Sequence, residues 1–496
     1  MLKNRQIIII MTDTQRWDMV NCYRETGLKT PNIDRLAAAG VRFTKAYTTQ
    51  PVCQPARAGI FTGQFPCSVG SWTNSHGISD TARSIGQRLS KEGVRTAYIG
   101  KWHLDGGDYF GLGVCPDGWN PEYWYDMRNY LEELTDAQRE DSRKPELMRT
   151  RDFPEDICFG HRCADRAIKF INSHGGGDFF LALSLDEPHH PYICPPPFAS
   201  MYEDFQFPKD ANVCDDMADK PEHQRVWGAA GMKADKNNLD MRSPFWFGCN
   251  SYADYEIGRV MDAAERFAKD AVVIYTSDHG DMFHSHCLHG KGPCAYDEIA
   301  RIPLIIKGRG IPAGVRRGPV SHIDIAPTVL ELMGAVTPPL LAGKSLLPEL
   351  ADTPVRINDY IFYEFGRYEV DHDGFGGLQL MRTVFDGRFK LTVNLLTSDE
   401  LYDLDEDPGE MKNLIASEAH KKQRVILHDA LLNHMNEIRD PFRGYYWEHR
   451  PWRADAAPAD WRNAGMTRQR VEDPYFEKLQ LDYNTGLPIT AATRKK

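Results

Sequence analysis

The sequence predicts an α/β fold with a large central mixed sheet and a smaller α+β unit at its C-terminal end. Three observations carry this. Short apolar runs recur at Ile7 to Ile10, Phe179 to Leu185 and Val272 to Tyr275, as strands buried on both faces do. Helical patterns separate them, which is the alternation of an α/β protein. The chain has 496 residues, too many for one simple core. Prolines and acidic residues cluster from Pro348 to Val355, so the expected units are 1–352 and 353–496.

Composition narrows the function. Hydrophobic residues are 42% and charged residues 26%, as in a soluble globular enzyme. The net charge of -11 argues against nucleic acid as a partner. It leaves room for a small anionic substrate, because a local cation cluster overrides the global field. The 11 cysteines are odd in number and lack C-x-x-C pairs, unlike a disulfide framework or a zinc site. The apolar run at the N-terminus is too short for a signal peptide or a membrane span. The expectation is a cytoplasmic protein.

The elements follow in order. A strand over Gln6 to Met11 ends at Asp13, and in open α/β sheets functional groups gather at such carboxyl ends. Asp13 reads as a helix N-cap or as a hard oxygen ligand for a divalent cation. Thr30 to Gly40 is a helix with an early proline and a closing glycine. Val41 to Tyr47 is a strand leading to Cys53-Gln54-Pro55-Ala56-Arg57. A short helix starting there, with Pro55 in its first turn and Gly63 as its stop, puts Cys53 at a helix N-terminus that favours an anion. Arg57 adds a charged donor fork one turn on. Asp80 to Glu92 is a helix, and Arg95 to Gly100 a strand followed by Lys101-Trp102-His103-Leu104. Trp102 offers a face for a sugar ring or packs in the core.

The strand over Asp178 to Leu185 ends in Asp186-Glu187-Pro188-His189-His190. Tyr202 to Asn238 is polar and reads as a long irregular insertion. Pro244 to Ala268 is a long helix, after which Val272 to Ser277 delivers Asp278 and His279, repeating the strand-then-acid pattern of Asp13. Asp278 alone would pass for an Asx turn. His284, His286 and His289 raise the question of zinc, but no cysteines stand at zinc spacing. Arg301 to Ile306 is a strand, and a helix runs from near Ser321 through Met333. In the smaller unit Tyr360 to Phe365 and Arg388 to Asn394 are strands and Glu418 to Ile438 a helix. Leu401 to Leu414 reads as a docking segment.

The stretch Cys53-x-Pro55-x-Arg57, followed by Gly59-Ile60-Phe61-Thr62-Gly63, resembles the signature of type I sulfatases of the alkaline phosphatase superfamily. The likeness extends to Pro31-Asn32-Ile33-Asp34, Gly100-Lys101-Trp102-His103-Leu104, Pro188-His189-His190-Pro191, Asp278-His279 and Leu401-Tyr402-Asp403-Leu404. Arg439 to Arg443 and Tyr483 to Pro488 resemble the bacterial YidJ-type branch. The family usually shows a second acid or a glutamine after the first aspartate. This chain has Thr14 there, leaving Gln15 or water to fill the gap.

The resemblance implies an alkaline-phosphatase-like fold and hydrolysis of a sulfate monoester. Cys53 would be oxidised to formylglycine by a formylglycine-generating or anaerobic maturase enzyme, and its hydrate would attack sulfur. Asp13, position 53, Asp278 and His279 would hold Ca²⁺, or Mg²⁺. Arg57, Lys101 and Lys291 would face the sulfuryl oxygens, His189, alone or together with Lys291, would protonate the leaving alcohol, and His103 would take the proton that releases sulfate. The expected substrate is a small sulfated mono- or disaccharide. Arg367 reads as a surface salt bridge or as a substrate contact from the second unit. The alternatives are a phosphonate monoester or phosphodiester hydrolase on the same fold, and an unmodified sugar-binding relic.

Overall fold

A computed structural model describes residues 5–150, 153–231, 239–369, 378–453 and 455. Twelve strands follow in chain order: β1 Gln6–Thr12, β2 Val41–Tyr47, β3 Arg95–Gly100, β4 Trp124–Tyr125, β5 Phe179–Ser184, β6 Val272–Ser277, β7 Arg301–Lys307, β8 Gly314–Ser321, β9 Ile361–Phe365, β10 Met381–Phe385, β11 Phe389–Asn394 and β12 Glu400–Asp403. The first eight form a mixed sheet in the order β4-β3-β5-β1-β6-β7-β2-β8. β1 pairs parallel with β5 and β6, whereas β7 runs antiparallel to both β6 and β2. The last four form an antiparallel sheet in the order β12-β11-β10-β9.

The isoleucine run of β1 shows why the large sheet is covered on both sides. Successive side chains on a strand point to opposite faces. Ile7 and Ile9 join one buried cluster with Ile60 and Phe61 of helix Cys53–Thr62, Ile85 and Leu89 of helix Ile85–Lys91, and Leu330 of helix Ile325–Met333. Ile8 and Ile10 join another with Cys163 and Phe170 of helix Phe159–His174 and with Ile257 and Met261 of helix Pro244–Phe267. Burying each such side chain contributes roughly 1.5–3 kcal/mol. A charge introduced at Ile8 or Ile9 would therefore be unpaired inside a packed layer.

Several elements depart from the sequence reading. The stretch read as irregular contains helix Glu222–Gly231. Helix Phe159–His174 and strands β8, β10 and β12 were not foreseen. β10 explains the difficulty: all five of its residues are buried, including Arg382 and Thr383. Arg382 enters the interior because Asp440 meets it at 2.6 Å, and no periodicity reports such a pairing. The first three residues of the expected docking segment, Leu401 to Asp403, lie in the edge strand β12. Trp102 is a core residue, its ring 4.8 Å from Tyr98 and 5.7 Å from Trp124. No helix among the described residues is long and apolar enough to cross a membrane. The Tyr483 to Pro488 pattern lies outside the described residues.

Candidate active site

The carboxyl ends of β1, β2, β3, β5 and β6 lie along one edge of the sheet, and each delivers a polar group there. Asp13 follows β1, Lys101 and His103 follow β3, Asp186 and His189 follow β5, and Asp278 and His279 follow β6. After β2 the chain turns into helix Cys53–Thr62, with Cys53 in its first turn. Two glycines permit this crowding. A Cβ on Gly59 would sit 2.3 Å from Thr49 Oγ1, so the helix lies flat against the segment that leads to it. Gly100 has φ +115°, and a Cβ there would lie 1.9 Å from Ser184 O, so β3 can turn beside β5 and place Lys101 inward.

The ligating atoms of Asp13, Cys53, Asp278 and His279 all lie within 4.8 Å of one another, and all four residues are buried. Arg57 is fully buried and binds both carboxylates, Nη2 to Asp13 Oδ2 at 2.9 Å and Nε to Asp278 Oδ2 at 3.2 Å. Its Nη1 donates to Lys101 O at 2.6 Å and Ser184 Oγ at 2.7 Å. Every nitrogen of the fork is thus engaged within the protein. Arg57 holds the carboxylates, where the sequence reading had it facing sulfuryl oxygens. A desolvated guanidinium requires such partners.

The two lysines stand on either side. Lys101 Nζ is 2.8 Å from Asp13 Oδ2 and 3.1 Å from Asp186 Oδ1. Lys291 Nζ is 2.6 Å from Cys53 Sγ and 3.4 Å from His279 Nε2. His189 turns Nε2 toward Asp13 Oδ1 at 3.9 Å. His103 is buried beside the thiol with its Nδ1 unpartnered among the described residues.

Burial and the Asp13 charge push the Cys53 thiol up, but Lys291, Lys101 and His279 outweigh them and hold it well below the ordinary thiol range. Burial, and then the facing Asp13, push Asp278 up from the usual carboxylate range. Two buried carboxylates and an imidazole converging on one point are a donor set that a divalent cation satisfies. The residues present therefore fit the implied metal.

Thr14 replaces the second acid and is engaged in the cluster. Its φ is +60°, its N–H donates to Asp278 Oδ1 at 3.1 Å, and its hydroxyl donates to Asp13 Oδ1 at 2.7 Å. Gln15 does not fill the gap. Its amide donates to Asn250 Oδ1 at 2.6 Å, and its carbonyl accepts from Thr12 and Tyr275, away from the cluster. The three histidines considered for zinc do not form one group. His286 pairs with Asp215 at 2.6 Å and stacks on Tyr296, while His284 and His289 touch ring to ring at 4.4 Å.

Three site residues escaped the sequence reading. Asp186 was visible as an acid at a strand end but carried no motif. Tyr109, in the loop after β3, donates to Asp186 at 2.5 Å and stands under Lys101, whose Nζ is 4.3 Å from its ring centre. Tyr368 has its ring 5.8 Å from Lys291 Nζ. It is fixed by its carbonyl, which accepts from Thr73 Oγ1 and Asn74 N at 3.0 Å each. Arg367 is the half-buried neighbour of Tyr368 on the chain leaving β9.

A mixed sheet whose strand ends and the loops after them gather three carboxylates, three imidazoles, two lysines and a cysteine at a helix N-terminus defines a hydrolase of the alkaline-phosphatase-like class. The chain belongs to the sulfatase family, whose model matches residues 5–335, and is a sulfuric ester hydrolase. A second model, for the C-terminal part of N-sulphoglucosamine sulphohydrolase, matches residues 286–437. The sulfatase YidJ of Escherichia coli (strain K12) is 43% identical over 98% of this chain and 97% of its own length. The N-acetylglucosamine-6-O-sulfatase of Bacteroides thetaiotaomicron is 25% identical over 86% of this chain and 85% of its own. Among solved structures, the phosphonate monoester hydrolase of Agrobacterium radiobacter has a TM-score of 0.73 at 21% identity, covering 89% of this chain and 97% of that one.

Proposed function

We propose that this sulfatase hydrolyses a sulfate monoester of a small carbohydrate, with residue 53 acting as formylglycine. The observation that carries the reading is Cys53 at a helix N-terminus, 2.6 Å from Lys291 and inside the Asp13, Asp278 and His279 cluster. As the hydrate, residue 53 supplies one hydroxyl to attack sulfur and a second whose deprotonation releases sulfate. A cation held by Asp13, Asp278, His279 and residue 53, read as Ca²⁺ or else Mg²⁺, supplies Lewis acidity.

The chain's own residues do the rest. Lys101 and Lys291 place two ammonium groups where charge accumulates on the sulfuryl oxygens, each worth ~3 kcal/mol of barrier by analogy with oxyanion-hole donors. Arg57 acts through the carboxylates it binds. His189 presents Nε2 to the leaving oxygen, and His103 beside residue 53 accepts the proton whose loss frees sulfate. Tyr368, with Arg367 beside it, offers the alcohol half a contact from the second unit. Relatives that act on sulfated glucosamine support a sugar substrate. Ten cysteines are free among the described residues, in keeping with a reducing compartment, and hence with an imported mono- or disaccharide. The partner at maturation is a formylglycine-generating or anaerobic maturase enzyme.

The test has two arms. Peptide mass analysis across Cys53 in a modifying host should show the aldehyde or its hydrate. Then kcat/KM is compared on aryl sulfate and aryl phosphonate monoesters. A larger value for the phosphonate would replace the reading with phosphonate ester hydrolysis. An unmodified thiol in active protein would remove the aldehyde hydrate.

A further inference from the structure

The loop after β3 carries a side chain to which the proposed chemistry gives no role. Tyr109 is joined to both sides of the site at once. Its hydroxyl hydrogen goes to Asp186 at 2.5 Å, and its oxygen lies 3.2 Å from His189 Nδ1. His189 Nδ1 is also 2.7 Å from the carbonyl oxygen of His190. A carbonyl only accepts, so Nδ1 must carry a hydrogen. That hydrogen is shared between His190 O and a lone pair of Tyr109 Oη, since the single hydrogen of Tyr109 is committed to Asp186. The ring is thereby held with Nε2 toward the reacting centre, on the side of Asp13.

Tyr109 is itself firmly placed. Lys101 Nζ lies 4.3 Å from its ring centre and Arg143 Cζ 5.5 Å. The loop is tied by Asp105, which accepts from Gly107 N at 3.0 Å and Leu112 N at 2.9 Å. Arg128 adds a bond to Asp108 at 3.0 Å and one to Gly111 O at 3.1 Å. A side chain fixed this way can fix its neighbours, and precise orientation of a proton donor is worth orders of magnitude in rate.

We propose that Tyr109 is a positioning residue for leaving-group protonation, orienting His189 through Nδ1. The inference rests on the reading of His189 as the acid. In that step the bond from sulfur to the leaving oxygen breaks and its electron pair stays on oxygen. The Nε2 proton passes to that oxygen, and the free alcohol departs. His189 is left neutral, its Nδ1 hydrogen still donated to His190 O and Tyr109 Oη. Tyr109 contributes no proton.

The test uses full-length, matured enzyme and a series of aryl sulfates running from acidic nitrophenols to unactivated phenols. Leaving groups that depart unaided need no acid, so a fault in protonation shows only at the other end of the series. Tyr109→Phe keeps the ring under Lys101 and removes only the hydroxyl. It should lower kcat about tenfold or more on the unactivated phenol and less than about twofold on the nitrophenol, with KM within about twofold. His189→Gln should show the same split more strongly. The double variant should be no slower than His189→Gln alone, because the two residues act on one proton. An equal loss across the series, or a double variant that multiplies the two losses, overturns the role of Tyr109 while leaving His189 as the acid. No split in His189→Gln itself overturns both, and that outcome identifies the acid assignment as the part that failed.

Discussion

Replacing Arg57 by methionine would test how the two ligand carboxylates are held. The side chain is fully buried, 2.9 Å from Asp13 and 3.2 Å from Asp278. At an effective dielectric of about 20, each contact is worth roughly 5 kcal/mol before desolvation. Its other two partners suffer little, because Ser184 Oγ already donates to Lys101 O at 2.9 Å. The loss therefore falls on two buried carboxylates deprived of a shared cation, which costs about 3–5 kcal/mol. A divalent cation in the same cluster would take over part of that task. We expect urea unfolding of metal-free Arg57→Met to lie about 3–5 kcal/mol below wild type. Saturating Ca²⁺ should recover half of the deficit or more. Arg57→Lys, which keeps the charge but loses the fork, should fall between. A metal-free deficit under about 1 kcal/mol would refute the reasoning, since the carboxylates would then not depend on Arg57.

Other outcomes are equally checkable. Cys53→Ser in a modifying host should lose steady-state turnover, because a sulfated serine has no second hydroxyl to expel sulfate. Mass analysis should find at most one sulfuryl group on it, and turnover near the wild-type rate would sink the hydrate mechanism. Chelation should abolish activity, with Ca²⁺ or Mg²⁺ restoring it; elemental analysis showing stoichiometric zinc, with full activity in zinc alone, would contradict the cation assignment. Two buried imidazoles should also lose their contribution to stability on mild acidification. Burial pushes His322 down to about 3 and His428 down to about 4, against an ordinary value near 6.5. Below about pH 6.5 the unfolded chain protonates these two rings and the fold does not, so the contribution of the pair is full above that pH and falls by about 3 kcal/mol per unit toward pH 4. The gap in urea unfolding free energy between wild type and a His322→Asn, His428→Asn double variant should therefore narrow from pH 7 to 5, and a gap that stays constant would contradict this.

Much of the site was legible in the chain. The apolar runs Ile7 to Ile10 and Val272 to Tyr275 announced strands, and the acids after them announced the edge where Asp13 and Asp278 meet. Cys53 before Pro55, with Gly63 as a stop, announced a helix with a thiol at its mouth; the helix runs from Cys53 to Thr62, and Gly63 closes it at φ +68°. These features depend on local periodicity, on capping and on the fixed φ of proline, all of which neighbouring residues dictate. What remained hidden depends on partners far away in the chain. The sequence left Gln15 or water to fill the gap beside Asp13, and only the hydrogen bonds of Gln15 to Asn250 and Tyr275 turned it aside. Arg57 looked like a donor for substrate until the fold brought Asp13 and Asp278 to its fork. Tyr109 carried no signal, being a loop residue whose value arises from meeting Asp186 and His189 some eighty positions later. Local pattern chose the elements and their ends. The pairing of buried polar groups, which must be satisfied by whatever the tertiary fold brings near, decided what each side chain can do.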